Sequence, residues 1–136
     1  MSLTITIPLA AKPQGSKKAY VISGRAVLVE ASKDLKTLRA EFSRQITEQA
    51  YLDKWVRIDR PNPAHVTITF TFVRPGSVKR EHMTVVPDVD KLTRFCLDAV
   101  TQADNIWEDD SQVTELHVYK QYGAEPKTEI RITNGV

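Results

Sequence analysis

The segment Ala64–Val73, AHVTITFTFV, constrains the fold more than any other part of the chain. Val66, Ile68, Phe70 and Phe72 alternate with Thr67, Thr69 and Thr71. In a strand, this period of two puts all four apolar side chains on one face. A helix would scatter them around its circumference. A chain carrying this segment must build a sheet with one buried face and one polar face. Residues 2–8 alternate in the same way, with Leu3, Ile5 and Ile7 against Ser2, Thr4 and Thr6.

Two helical patterns are available to cover the buried face. Ser32 is a good N-cap for KDLKTLRAEFSRQITEQAYL, in which Leu35, Leu38, Phe42 and Ile46 share a stripe. The second helix spans Val89–Thr101, with Leu92, Phe95, Cys96, Ala99 and Val100 at helical spacing. Short apolar runs at Ala19–Ile22 and Arg25–Val29 flank Ser23–Gly24 and read as a hairpin. Gln112–Gln121 and Thr128–Thr133 read as two late strands, paired as a second hairpin around Gly123–Pro126. The order β, β, β, α, β, α, β, β predicts an α+β fold, a mixed β-sheet with two main helices packed on one face. At 136 residues the chain supports one core, so residues 1–136 form a single domain.

Several classes are set aside by count. The lone Cys96 permits no disulfide within the chain, sits at a core position of the second helix, and suits a reducing, cytoplasmic setting. Three scattered histidines and one cysteine give no zinc spacing. No apolar run approaches the ~20 residues that span a bilayer, and the first ten residues lack a signal-peptide pattern, so no membrane partner is expected.

The chemistry-bearing residues cluster between Pro87 and Lys120. Asp88 and Asp90 stand at the mouth of the second helix; Asp109 and Asp110 stand just before a strand. Two readings fit each pair. Aspartates at a helix start cap free N–H groups and meet the positive dipole end, and aspartates in a turn are ordinary turn residues. Alternatively, the carboxylates converge on Mg²⁺, which takes oxygen ligands and keeps several waters. Arg94 is one turn past Asp90 on the same helical face. It is either a cation for a phosphate or the middle of an Asp90–Arg94–Asp98 surface ladder. Lys91 is a second candidate cation, a quarter-turn away. Trp107 reads either as packing beside the acidic loop or as a stacking platform. Two basic stretches without acids, Lys12–Arg25 (Lys12, Lys17, Lys18) and Arg74–Arg80 (Arg74, Lys79, Arg80), are solvated loops or contacts to a polyanion.

The run Asp88-Val89-Asp90, then Leu97-Asp98-Ala99, then Trp107-Glu108-Asp109-Asp110-Ser111-Gln112-Val113 resembles the RusA family of Holliday junction resolvases. These are small, phage- or prophage-associated, magnesium-dependent endonucleases. The resemblance implies a RusA-like fold and an enzyme that resolves branched DNA by paired nicks in recombination and repair. It implies Mg²⁺, with Mn²⁺ as a substitute, and a homodimer matched to the two-fold symmetry of a Holliday junction. Asp88 and Asp90 match the first two metal-binding carboxylates, Asp110 the third essential one, and Asp109 the acid beside it. Arg94 stands where the family pattern has a catalytic lysine, and Lys91 where it has asparagine. Guanidinium keeps the charge but does not give up a proton, so a non-catalytic branched-DNA-binding protein on the same fold is the alternative.

Overall fold

The alternating segments become strands of one sheet, and the two helices cover its apolar face. A computed structural model describes residues 1–15, the backbone of Lys18–Ile22 and Arg25–Val29, and residues 33–136. The expected cap at Ser32, the Ser23–Gly24 turn and Lys17 lie outside the described residues. The elements are β1 (Ser2–Ile7), β2 (Lys18–Ile22), β3 (Arg25–Val29), α1 (Lys33–Leu52), β4 (Ala64–Val73), α2 (Val89–Gln102), a three-residue 3₁₀ turn (Asp110–Gln112), β5 (Val113–Gly123) and β6 (Lys127–Asn134). β2 and β3 form an antiparallel pair of their own.

The main sheet is mixed, in the order β1-β6-β4-β5. β4 and β5 run parallel, joined by the crossover through α2, while β6 is antiparallel to both β1 and β4. This corrects the late hairpin expected around Gly123–Pro126: β5 and β6 are consecutive but do not pair, because β4 lies between them. The crossover through α2 lays β5 parallel beside β4, which leaves the other side of β4 to β6. β6 carries Ile130 and Ile132, both fully buried, and lies between β1 and β4. β5 leaves Leu116 and Tyr119 exposed and takes the edge. Two strand spacings are about 9.5 Å, a gap that the connecting residues 124–126 cross with ease.

Leu3, Ile5 and Ile7 of β1, Val66, Ile68 and Phe70 of β4, and Ile130 and Ile132 of β6 form the sheet side of the core. Phe42 of α1 meets Phe95 of α2 edge to face, with ring centroids 5.0 Å apart, which fixes the two helices against each other. Cys96 is fully buried among them; burial pushes its thiol pKa up, as expected for a packing residue. Along β4 the alternation breaks at one place: Thr71 is buried and accepts a hydrogen bond from Gln121 Nε2, while Phe72 is only partly buried. No helix among the described residues is long and apolar enough to cross a membrane.

Candidate active site

α2 begins where β-type backbone at Asp88 gives way to helix. Asp88 is its N-cap residue, and its carbonyl accepts the first helical bond, from Leu92 N at 3.1 Å. Its carboxylate, however, makes no capping hydrogen bond. It is exposed and faces Lys91 Nζ at 3.6 Å, a surface pair of small energetic weight. Asp90, in the first turn, is also exposed. Both therefore sit in the positive field of the helix start with their oxygens turned to solvent. They line an open depression of about 700 Å³ with Thr84, Val85, Val86, Val89 and Lys120. The Lys120 ammonium donates to the carbonyls of Val85 at 2.7 Å and Pro87 at 2.8 Å, tying the segment before Asp88 to β5.

The second acidic pair divides into two different roles. Asp109 is the N-cap of the 3₁₀ turn and does cap: its carboxylate accepts from Ser111 N at 3.1 Å, reciprocated by the Gln112 side chain. Those Ser111 hydrogen bonds, and then the Arg60 guanidinium 3.7 Å away, hold its carboxyl below the usual range. Asp110, half-buried, is pushed the other way, first by burial and then by the negative charges of Asp109 and Asp98. Gln112 holds the whole turn. Its Oε1 accepts from Glu108 N at 2.8 Å and Asp109 N at 3.0 Å, and its Nε2 donates to Ile58 O at 3.0 Å and Asn62 O at 3.1 Å. Trp107 is a packing residue, 1% exposed, with Nε1 donating to Thr101 Oγ1 at 2.9 Å.

Asp90, Arg94 and Asp98 follow one another at four-residue steps along α2. Eight residues at 1.5 Å each put Asp90 and Asp98 about 12 Å apart along the axis. Asp88 and Asp90 occupy the N-terminal end of this ridge, exposed Arg94 stands between Asp90 and Asp98, and the charge of Asp98 is felt at Asp110. Among the described residues, no group of three or more Asp, Glu, His or Cys is close enough to hold a metal ion together. Asp88, Asp90 and Asp110, expected as a metal shell, do not form such a group.

Three participants were not visible in the sequence. Gln14, buried in the loop after β1, donates to Asp98 Oδ2, accepts from Arg39 Nη1 at 2.6 Å, and anchors its own N–H on Lys91 O at 3.0 Å. It bridges α1 to the acidic face of α2. Lys120 and Tyr122 lie on β5 and reach back to the β4–α2 connection. Each is more than 25 residues from its partners or joined through a polar side chain with no spacing rule, so only the folded chain brings them in. Of the basic residues, Lys12, Arg74, Lys79 and Arg80 are exposed. Lys17 is outside the described residues, and of Lys18 only the strand backbone is described.

With acids, turn and cations in place, the comparison with families is decisive. A model for the family described as endodeoxyribonuclease RusA matches residues 10–133, nearly the whole chain. The chain belongs to the RusA family. No individual curated protein matches it. Membership in RusA implies a nuclease, and the aspartates singled out on α2 and in the following turn fall within the matched span.

Proposed function

We propose that this protein is a Mg²⁺-dependent endonuclease that resolves Holliday junctions and other branched DNA by paired, symmetric nicks, acting in the cytoplasm in recombination and repair. One observation supports this reading most: the N-cap aspartate of α2 leaves its carboxylate unused for capping, beside Asp90, in a chain that matches an endodeoxyribonuclease family. The donor chemistry fits a hard divalent ion. Asp88 and Asp90 offer oxygens that no backbone N–H consumes, and Mg²⁺ completes its octahedron with water. Asp110, raised in pKa by burial and like charge, is a carboxyl that a nearby cation would favour in its ionised form. When bound, the ion would activate water and offset charge on the phosphate; Mn²⁺ has the same ligand preference.

The chain's own groups do the rest. Arg94 on the acidic face, or Lys91 beside Asp88, meets the negative charge of the phosphodiester. Lys12, Arg74, Lys79 and Arg80, with Lys17 and Lys18, hold the DNA backbone without reading sequence. A four-way junction is two-fold symmetric, so paired nicks call for a homodimer with one site per subunit. Arg94 in place of lysine favours a second reading, a protein that binds branched DNA without cutting it.

A synthetic four-way junction with Mg²⁺ separates these readings. Wild-type protein nicks it symmetrically; Asp90→Ala binds it and leaves it intact. Normal cleavage by Asp90→Ala overturns the assignment, and a bandshift without nicking by wild-type protein favours the second reading.

A further inference from the structure

The connection between β4 and α2 carries three of the exposed basic residues at one end and Asp88 at the other. β5 holds it at both ends. Near its start, Arg74 and Arg80 gather on a single ring: their guanidinium carbons lie 6.0 and 5.9 Å from the centroid of Tyr122. Arg80 Nε donates to Tyr122 Oη at 3.0 Å, and Arg74 Nη1 donates to Arg80 O at 3.3 Å. At its far end, Lys120 donates to Val85 O and Pro87 O. Lys120 and Tyr122 are two residues apart on β5, so they project from the same face, about 7 Å from one another along the strand.

Two like charges held against one ring repel each other. Among the described residues no carboxylate pairs with either arginine, although exposed arginines elsewhere in the chain do find acids, as Arg44 does with Glu41 and Glu48. Stacking on the aromatic face removes side-chain freedom before any ligand arrives, and that lowers the cost of ordering on binding. Guanidinium also carries a donor fork suited to phosphate oxygens. The unmet charge, the shared ring and the fixed connection therefore have one consistent use.

We propose that Tyr122 assembles Arg74 and Arg80 into one phosphate-binding unit for the DNA backbone, which the Lys120 anchor keeps in fixed register with Asp88. Tyr122 is here a positioning residue: it touches the arginines, and the arginines touch the DNA. The inference rests on the DNA reading above and goes beyond it by naming the unit that grips a phosphate and the uncharged residue that builds it.

The test is the salt dependence of binding, measured without divalent cations so that no cleavage occurs. A labelled four-way junction and a duplex of the same sequence are titrated between 50 and 200 mM salt. Each phosphate contact contributes about 0.9 to the slope of log affinity against log salt, so losing one contact shrinks the affinity ratio across this range about 3.5-fold. Arg80→Gln should lose one such contact on both substrates. Tyr122→Phe keeps the ring and loses the hydroxyl that accepts from Arg80 Nε, so its slope should fall between those of wild type and Tyr122→Leu. Tyr122→Leu removes no charge, yet should lose one to two contacts. A merely structural tyrosine would not move a salt slope, and thermal melts confirm that each variant is folded. A wild-type slope in either Arg80→Gln or Tyr122→Leu overturns the inference while leaving the nuclease reading intact if the wild-type protein cuts the junction. Absence of DNA binding by wild-type protein overturns both.

Discussion

Replacing Gln112 by leucine would test whether the acidic turn is held as the geometry indicates. Gln112 is 7% exposed and makes four hydrogen bonds, two to the N–H groups of Glu108 and Asp109 and two to the carbonyls of Ile58 and Asn62. Leucine fills a similar volume and removes all four. Each hydrogen bond contributes about 1 kcal/mol net, and more where a buried group is left unpaired. Glu108 and Asn62 are exposed and can recover water, whereas Ile58 is buried. The sum is about 3 kcal/mol. For a chain of 136 residues the unfolding entropy near the midpoint is about 0.29 kcal/mol/K, so the melting temperature should fall by about 10 °C. Thr37→Ala is the control: Thr37 is exposed, has one side-chain hydrogen bond, to Lys33 O on the helix surface, and should change stability by no more than about 0.5 kcal/mol. Melts followed by circular dichroism measure both. A Gln112→Leu protein that melts within about 2 °C of wild type would refute the hub. The variant should also cut junctions poorly at temperatures where it is fully folded, because Asp110 is the first residue of the turn that Gln112 fixes.

The adjacent acids should respond oppositely to pH. Asp110 has its pKa raised in the folded state, so ionisation costs stability; Asp110→Asn should be more stable than wild type at neutral pH, and the gain should vanish as pH falls below the unfolded value near ~4. Asp109 has its pKa lowered, so its charge contributes stability that is lost as pH falls through the folded value; Asp109→Ala should be less stable at neutral pH, with the deficit closing in acid. Thermal melts from pH 3 to 7 without divalent cations read both signs, and the same sign for the two variants would contradict the assignment. Mg²⁺ at ten times its Kd should add about 1.4 kcal/mol, a rise of about 5 °C in melting temperature. The double variant Asp88→Asn, Asp90→Asn should lose that rise, and an undiminished rise would place the ion elsewhere.

Patterns of one-sided burial were legible in the sequence, and partner choice was not. β4 and α2 declare themselves because each meets the core along one face, so period two and period 3.6 survive in the residue order. The fold class follows from them, as does the placement of both helices on the apolar side. The pairing of β5 failed for a physical reason. A short connection with glycine and proline makes a local hairpin the cheapest guess, but the crossover through α2 lays β5 parallel beside β4, and β6 pairs on the other side of β4, where Ile130 and Ile132 are fully buried. Thr71 shows the same limit on a smaller scale. Its burial is set by Gln121 on the neighbouring strand, where Gly123 also approaches its methyl group, and nothing in the alternation of β4 encodes that neighbour.

For the site, residue type was legible and role was not. Asp88 and Asp109 are both N-cap aspartates with extended backbone; the plain reading was a cap for the first and an ordinary turn residue for the second. Asp109 follows it, closing on Ser111 within a turn that Gln112 locks from the other side. Asp88 does not, and a side-chain cap there is worth about 1 kcal/mol to a helix. Nothing steric forbids the bond: the residue is exposed, has the extended backbone of a capping residue, and stands ahead of free N–H groups. On the function proposed above, the chain forgoes this local stabilisation and fixes the same segment from outside through Lys120, so that the carboxylate serves a partner other than its own backbone. In that reading the partner is a divalent cation, and the two arginines on Tyr122 supply the positive charge that meets the DNA backbone.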